Sequence, residues 1–173
     1  LAVGAPDDDM CCLVLAISAR TLQVWRVPLT AGAGAGAAPR LVHADTSVHR
    51  SLASQVLYAR GQRFSAAEAM RMEMMDAAFV PGEDAFVVLY MDRSAPSMPS
   101  YGLALLDVAS DAPLAPRRIW PLRFEAAEDP RPAARPRVLV AEAQPSVAFV
   151  SFAHAVVVQL LCDPCGSEES LRL

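Results

Sequence analysis

Two cysteines near the end of the chain, Cys162 and Cys165, have the spacing of a redox pair or of half a zinc site. A tetrahedral zinc site needs two more ligands, and His154 is the only nearby candidate. A redox pair usually opens a helix within a thioredoxin-like βαβ unit, and the surrounding pattern predicts no such unit. The sequence therefore favours a turn at the end of a strand over redox or metal chemistry.

The other candidates for chemistry lack the spacing that their chemistry requires. Asp7 to Asp9 could gather a hard cation, but calcium loops alternate their oxygen ligands around a glycine, so a solvated loop is favoured. The three histidines are dispersed, and no serine has the Gly-x-Ser-x-Gly setting of a nucleophile. Gly32, Gly34 and Gly36 precede no helical pattern, so they are not expected to cradle a phosphate. We predict no catalytic residue, no cofactor, no metal site and no small-molecule substrate.

Length and composition describe one domain with a substantial core. The chain has 173 residues, of which 54% are apolar and 20% are charged. The formal net charge of -4 argues against direct nucleic-acid binding, which needs a clustered basic surface. No apolar run reaches the roughly 18 residues of a membrane span. The first residue is not Met, and we expect the sequence to be an internal fragment with free thiols.

The first part of the chain contains short runs rich in the residues that favour β-strands. Cys11 to Ile17 and Thr21 to Val27 form two such runs separated by three residues, which predicts a hairpin. Leu22 and Val24 are expected on one face of the second strand. The Ala-Gly segment from Thr30 to Pro39 has no side chain large enough to pack and is predicted to be a surface loop. A short edge strand is expected at residues 41–44.

The middle of the chain changes to helical spacing. A helix is predicted from Thr46 to Arg60, with Thr46 or Ser47 as N-cap and Gly61 as the stop. Ser65 followed by Glu68 predicts a second short helical turn through a capping box. The methionine run that follows, from position 70 to 74, alternates with charged residues and favours a half-buried strand; a continued helix is the alternative, because Met and Glu are good helix formers.

The rest of the sequence predicts only strands. Runs are expected at 85–91, 101–108, 117–124, 137–141, 147–152 and 155–161, with the third at an outer position because it contains Pro121. The sequence also contains a weak internal repeat, with an offset of about 63 to 64 residues. Pro81 and the run that begins at Ala85 correspond to Pro145 and the run that begins at Ala148. Each unit follows the strand order of a propeller blade.

These patterns predict an all-β fold with a small helical insertion, a partial β-propeller of about two to three blades from a larger ring. A closed propeller needs at least four blades, and this chain is too short for four units at the observed offset. Residues 1–45 are assigned to the end of one blade, 46–69 to a helical insertion between blades, 70–124 to one blade and 137–173 to the start of the next. All belong to a single propeller domain.

Several stretches resemble the N-terminal propeller of the 133/155-like scaffold nucleoporins of the nuclear pore Y-complex. The resemblance rests on the order of its pieces, which are the run from Leu22 to Val27, the helical insertion Ser51 to Met70 followed by Met72 to Phe79, the strands 85–90 and 101–108, and the runs 137–140, 148–150 and 155–158. It implies a non-enzymatic coat component located in the nucleus, at the nuclear envelope and its pore complexes. It also implies other scaffold nucleoporins as partners and a role in transport of protein and RNA.

The predicted helix carries an apolar stripe, formed by Val48, Leu52, Val56 and Leu57, beside a Ser-rich polar face with few charges. Such a face is typical of segments that bind curved membranes by apolar insertion, and this segment is a candidate contact with curved nuclear membrane or with a partner. The favoured alternative is that the stripe packs against the side of the propeller.

The sequence is consistent with three kinds of function. A structural scaffold of the nuclear pore is the first, and a propeller adaptor that binds peptide segments of partner proteins is the alternative. An enzyme built on a propeller is the least favoured, because the predicted strand ends carry mainly Ala, Val and Met.

Overall fold

The computed structural model describes residues 1–29, 38–45, 47–94, 99–108, 114–125 and 135–161, and within them the chain forms three antiparallel sheets and two helices. The first sheet contains β1 (Ala2–Pro6), β2 (Cys11–Ile17), β3 (Leu22–Pro28) and β4 (Arg40–Asp45). The middle sheet contains β5 (Met72–Phe79), β6 (Ala85–Asp92), β7 (Ser100–Asp107) and β8 (Pro116–Glu125). The third sheet contains β9 (Arg137–Ala141), β10 (Gln144–Ser151) and β11 (Val156–Leu160). Helices α1 (Val48–Ala59) and α2 (Ala66–Ala69) connect the first two sheets, so the predicted all-β class with a helical insertion is confirmed.

The predicted hairpin of the first sheet is confirmed. Strands β2 and β3 pair without interruption up to Ile17 and Leu22, and the N–H of Ser18 donates to the carbonyl of Thr21 at 2.9 Å in the turn between them. Leu22 and Val24 are fully buried, as the alternation predicts. Strand β1 was not predicted, because its small residues and its terminal proline give no alternating signal.

The helical insertion begins and ends where the sequence predicts. Ser47 is the N-cap residue of α1, and Gly61, at a φ of 71°, adopts the left-handed conformation that follows a helix end. Ser65 precedes α2 as expected, but its side chain makes no capping hydrogen bond, so the capping box is not formed. The methionine run forms strand β5 and not a helix, although Met70 ends α2 instead of joining the strand.

The middle sheet is buried on both faces. Every residue of β6 is buried, since its two faces pack into two separate apolar clusters. One cluster joins the middle sheet to the first sheet and α1, and the other joins it to the third sheet. Strand β8 lies at the edge of the sheet, so Pro121 occupies an outer strand as predicted.

The third sheet repeats the order of the middle one. The runs that begin at Ala85 and Ala148 form β6 and β10, the second strand of each sheet, in agreement with the predicted repeat. One part of the predicted repeat was wrong. A turn was expected between Pro145 and Ala148, but Pro145 lies inside β10 and the turn is at residues 142–143. The sequence could not place this turn because a β-bulge between Gln144 and Ala148 lets the proline sit in the strand.

The three sheets fan out from a shared side. The first strands of neighbouring sheets contact each other, β1 with β5 and β5 with β9. Helix α1 contacts β5 and β8 and fills the wider space between the first and middle sheets. The strands at the start of each sheet are therefore innermost, on the side that the sheets share.

Candidate functional site

The inner side of the fan is an open cavity of about 910 Å³. It is lined by residues of β1, β5 and β9 and by the turn that follows β5. A cavity shared by the first strand of every sheet marks the axis around which the sheets are arranged.

One buried carboxylate, Asp76, joins two sheets at this cavity. Its Oδ2 accepts a hydrogen bond from the backbone N–H of Val138 at 3.0 Å and from Nε of Arg137 at 2.9 Å. The β5 bulge between Met74 and Asp76 shifts the strand locally, and Asp76 is only 6% exposed. Sequence reasoning missed this residue, because its partners lie about 60 positions away and no local pattern indicates them. Its contacts give it a structural role between the two sheets.

Replacing Asp76 with alanine is expected to lower the free energy of unfolding by about 1–2 kcal/mol, because the buried N–H of Val138 loses its acceptor. Arg137 is 68% exposed and returns to water at little cost. Urea unfolding measures the loss. The matched control is Asp107→Ala, whose carboxylate is 43% exposed in its pair with Arg117 and should cost under about 1 kcal/mol. Equal losses for the two variants would contradict the assignment.

The four residues of the predicted contact stripe are all buried. Val48 and Leu52 are fully buried, and Val56 and Leu57 are 3% and 1% exposed. Three of the four belong to the apolar cluster between the first and middle sheets. This arrangement agrees with the alternative that the stripe packs against the side of the propeller. Membrane contact through this stripe stays a prediction, and it requires α1 to leave the core. Neither helix in the described residues has the length and hydropathy needed to cross a membrane.

The acidic turn after β1 is held together within the first sheet. Arg26 pairs with Asp7 at 2.6 Å and with Asp9 at 2.8 Å. The backbone N–H of Cys11 lowers the pKa of the Asp7 carboxyl, and the Arg26 guanidinium lowers this pKa further. Both carboxylates are exposed to solvent, in agreement with the predicted solvated loop.

The other chemical candidates gather no site in the part of the chain that the structure describes. His49 is buried, and its Nε2 lies 2.7 Å from the carbonyl oxygen of Met72, to which it donates a hydrogen bond. No group of three His, Cys, Asp or Glu side chains within the described ranges could hold a metal ion. The Cys162 and Cys165 pair and the glycine run at 32–36 lie outside the described residues.

The outward face of the third sheet is apolar and exposed. Phe149 pairs in register with Leu139 on one side and with Val158 on the other, so the three side chains share this face. The exposed apolar residues of the sheet are Leu139 (64%), Val156 (63%), Val158 (59%) and Leu160 (56%). The opposite face, which includes Val138 and Val150, is buried on the middle sheet. We call this outward surface the third-sheet end face.

The first sheet also has an apolar outward face. Val3, Val14, Trp25 and Leu41 follow one another across β1 to β4, and Val3 and Leu41 are 60% and 40% exposed. The two end sheets thus expose apolar faces, while the middle sheet is covered on both. Sheets that stack face to face around an axis, with their first strands innermost, have the architecture of propeller blades. The fold is a partial β-propeller.

Comparison with solved structures agrees with this architecture. The chain is similar to the β-propeller domain of Nup133 from Vanderwaltozyma polyspora, with a TM-score of 0.62 and 14% sequence identity. The match covers 91% of this chain and 41% of that one, so the chain spans less than half the length of the Nup133 chain. No protein-family model matches the sequence. A search of curated proteins finds no match either.

Sequence reasoning predicted most of the strands but not which sheet faces are left exposed. Exposure of the third-sheet end face could not be predicted, because an alternating strand looks the same whether or not a further sheet covers it. The alternation of Leu139 with Val138 and Val140 was the one available signal, since it leaves both faces of β9 apolar.

Proposed function

We propose that the chain is a section of a β-propeller in a structural scaffold of the nuclear pore complex. In this role it contacts other scaffold nucleoporins at the nuclear envelope, supports transport of protein and RNA, and catalyses no reaction. The fold it shares with the Nup133 propeller domain over 91% of its length supports the proposal.

The observation that carries the proposal is the pair of apolar end faces on a fan whose inner strands share one cavity. Large exposed apolar surfaces are unfavourable in water and usually mark an interface. A further antiparallel blade fits these faces, because the middle and third sheets already pack in this way. Both of these sheets have their strands in sequential order, and they meet through mainly apolar side chains. The chain is then one arc of a rigid ring, and a rigid ring suits a scaffold.

Fluorescent tagging of the native gene in cells of the source organism tests the proposal. The tagged protein is expected in a punctate rim at the nuclear envelope, and scaffold nucleoporins are expected to co-purify with it. A diffuse distribution with soluble partners would contradict the proposal and favour the peptide-binding adaptor.

A pair of variants links this localisation to the fold. Val158→Glu places a charge on the third-sheet end face and is expected to abolish rim localisation, because a carboxylate buried between blades has no partner there. Arg135→Glu changes an exposed residue that precedes β9 and should leave the rim intact. Retention of the rim by both variants would show that no blade covers this face.

A further inference from the structure

A second concave surface lies away from the axis, between the start of α1 and the short helix α2. This groove has a volume of about 400 Å³, and the residues that matter in its lining are His49, Arg50, Phe64, Ala66, Ala69 and Met70. We call it the inter-helix groove. A volume of this size accommodates one or two large side chains.

The groove is preformed and partly apolar. Its wall at His49 is fixed, because the imidazole is buried and bonded to the carbonyl of Met72 in strand β5. Phe64 and Met70 are 43% and 52% exposed, so two large apolar side chains border the groove in contact with water. Exposed apolar side chains that border a groove favour an apolar anchor, because covering them removes apolar surface from water.

The segments that form the groove are rich in arginine although the whole chain carries a net charge of -4. Arg50 lines the groove, Arg63 and Arg71 flank Phe64 and Met70 in sequence, and Arg20 donates a hydrogen bond to the carbonyl of Met70 at 3.4 Å. All four arginines are exposed.

No ion pair joins these four arginines to acidic side chains in the described part of the chain. Glu68 is the one acidic residue among positions 47–72. A further arginine in this range, Arg60, is already paired with Asp92. A local excess of unpaired guanidinium groups attracts carboxylates and orients them through bidentate hydrogen bonds.

We propose that the inter-helix groove binds an acidic peptide segment that inserts one bulky apolar side chain between Phe64 and Met70. The carboxylates of such a segment meet the surrounding arginines, and its apolar side chain fills the groove. Charge complementarity favours this partner over a nucleic acid, because the patch is local and the chain as a whole is acidic. The proposal is independent of the scaffold role, since it concerns a surface on the helical insertion and not the end faces.

Fluorescence anisotropy with three labelled octapeptides tests the proposal on the whole chain. The first peptide has Glu and Asp on both sides of a central Leu-Phe pair, the second replaces that pair with Ser-Ser, and the third replaces the acids with Lys. We expect micromolar binding of the first peptide alone, weakened at least tenfold when salt rises from about 0.05 M to about 0.5 M. Failure of the first peptide to bind below about 1 mM, or equal binding of the other two, would overturn the proposal.

Charge-reversal variants assign the binding to the groove. The double variant R50E/R71E is expected to lose at least about tenfold in affinity, because two attractions become repulsions. The matched control R135E carries its change on an exposed arginine before β9 and should bind as the parent does. Unchanged melting curves confirm that each variant is folded. An unaffected double variant would contradict the assignment.

A vesicle-binding experiment distinguishes peptide binding from membrane binding at the same arginines. We expect vesicles of phosphatidylcholine with about 30% phosphatidylserine not to bind the chain and not to displace the first peptide. If they bind through the same arginines and the peptide does not, the groove is part of a membrane-contacting surface and the peptide proposal is wrong.

Discussion

Replacing Leu89 with alanine is expected to lower the free energy of unfolding by about 3 kcal/mol, within the range observed for buried Leu→Ala changes. Leu89 is fully buried in β6 and belongs to the cluster that joins the middle and third sheets. The substitution removes apolar contacts and leaves a cavity that rigid neighbouring strands cannot fill. Urea unfolding followed by circular dichroism measures the loss.

The matched control is the same substitution on the third-sheet end face. Leu160 is 56% exposed, so Leu160→Ala is expected to cost under about 1 kcal/mol in the isolated chain. A comparable loss at both positions would mean that something already covers the end face. Equally small losses would mean that the middle and third sheets do not pack together as described.

Replacing Asp92 with alanine is the second large effect, with an expected loss of about 2–3 kcal/mol. Asp92 is fully buried at the end of β6, where its Oδ1 accepts hydrogen bonds from the backbone N–H of Ser94 at 2.8 Å and from the Ser94 hydroxyl at 2.6 Å. Its other oxygen pairs with Arg60, the C-cap residue of α1. The substitution therefore releases both the loop after β6 and the end of the helix.

A double-mutant cycle separates the ion pair from the loop contacts. Arg60→Ala alone leaves the Asp92 carboxylate buried with Ser94 as its partner, so a loss close to that of Asp92→Ala is expected. Together the two changes should cost clearly less than their sum, by at least about 1 kcal/mol. Additive losses would show that the pair does not fix α1 to the middle sheet.

Local patterns were sufficient to predict most of the elements. The hairpin of β2 and β3 followed from two β-rich runs on either side of a three-residue break, and α1 followed from apolar residues at helical spacing before Gly61. The choice of a strand for the methionine run was correct because Met72 and Met74 face the core while Glu73 is half-buried.

The sequence could not reveal contacts that depend on distant segments. Strand β1 is held by pairing with β2 and not by its own composition, so no propensity predicted it. The roles of Asp76 and Asp92 depend on partners about 60 and 30 positions away. The inter-helix groove could not be predicted either, because its lining joins residues of α1, α2 and the segment between them, such as Phe64 and Met70, and no local pattern brings these residues together.

The most direct test of the partial propeller measures distances between spin labels on inner and outer strands. One pair of labels is placed on the inner strands, at Val3 in β1 and Leu139 in β9, and the other on the outer strands, at Leu41 in β4 and Val158 in β11, in a cysteine-free background. Pulsed electron resonance is expected to give a clearly shorter distance for the inner pair, because the sheets converge on one axis. An inner distance equal to or longer than the outer one would contradict the propeller arrangement and, with it, the proposed scaffold.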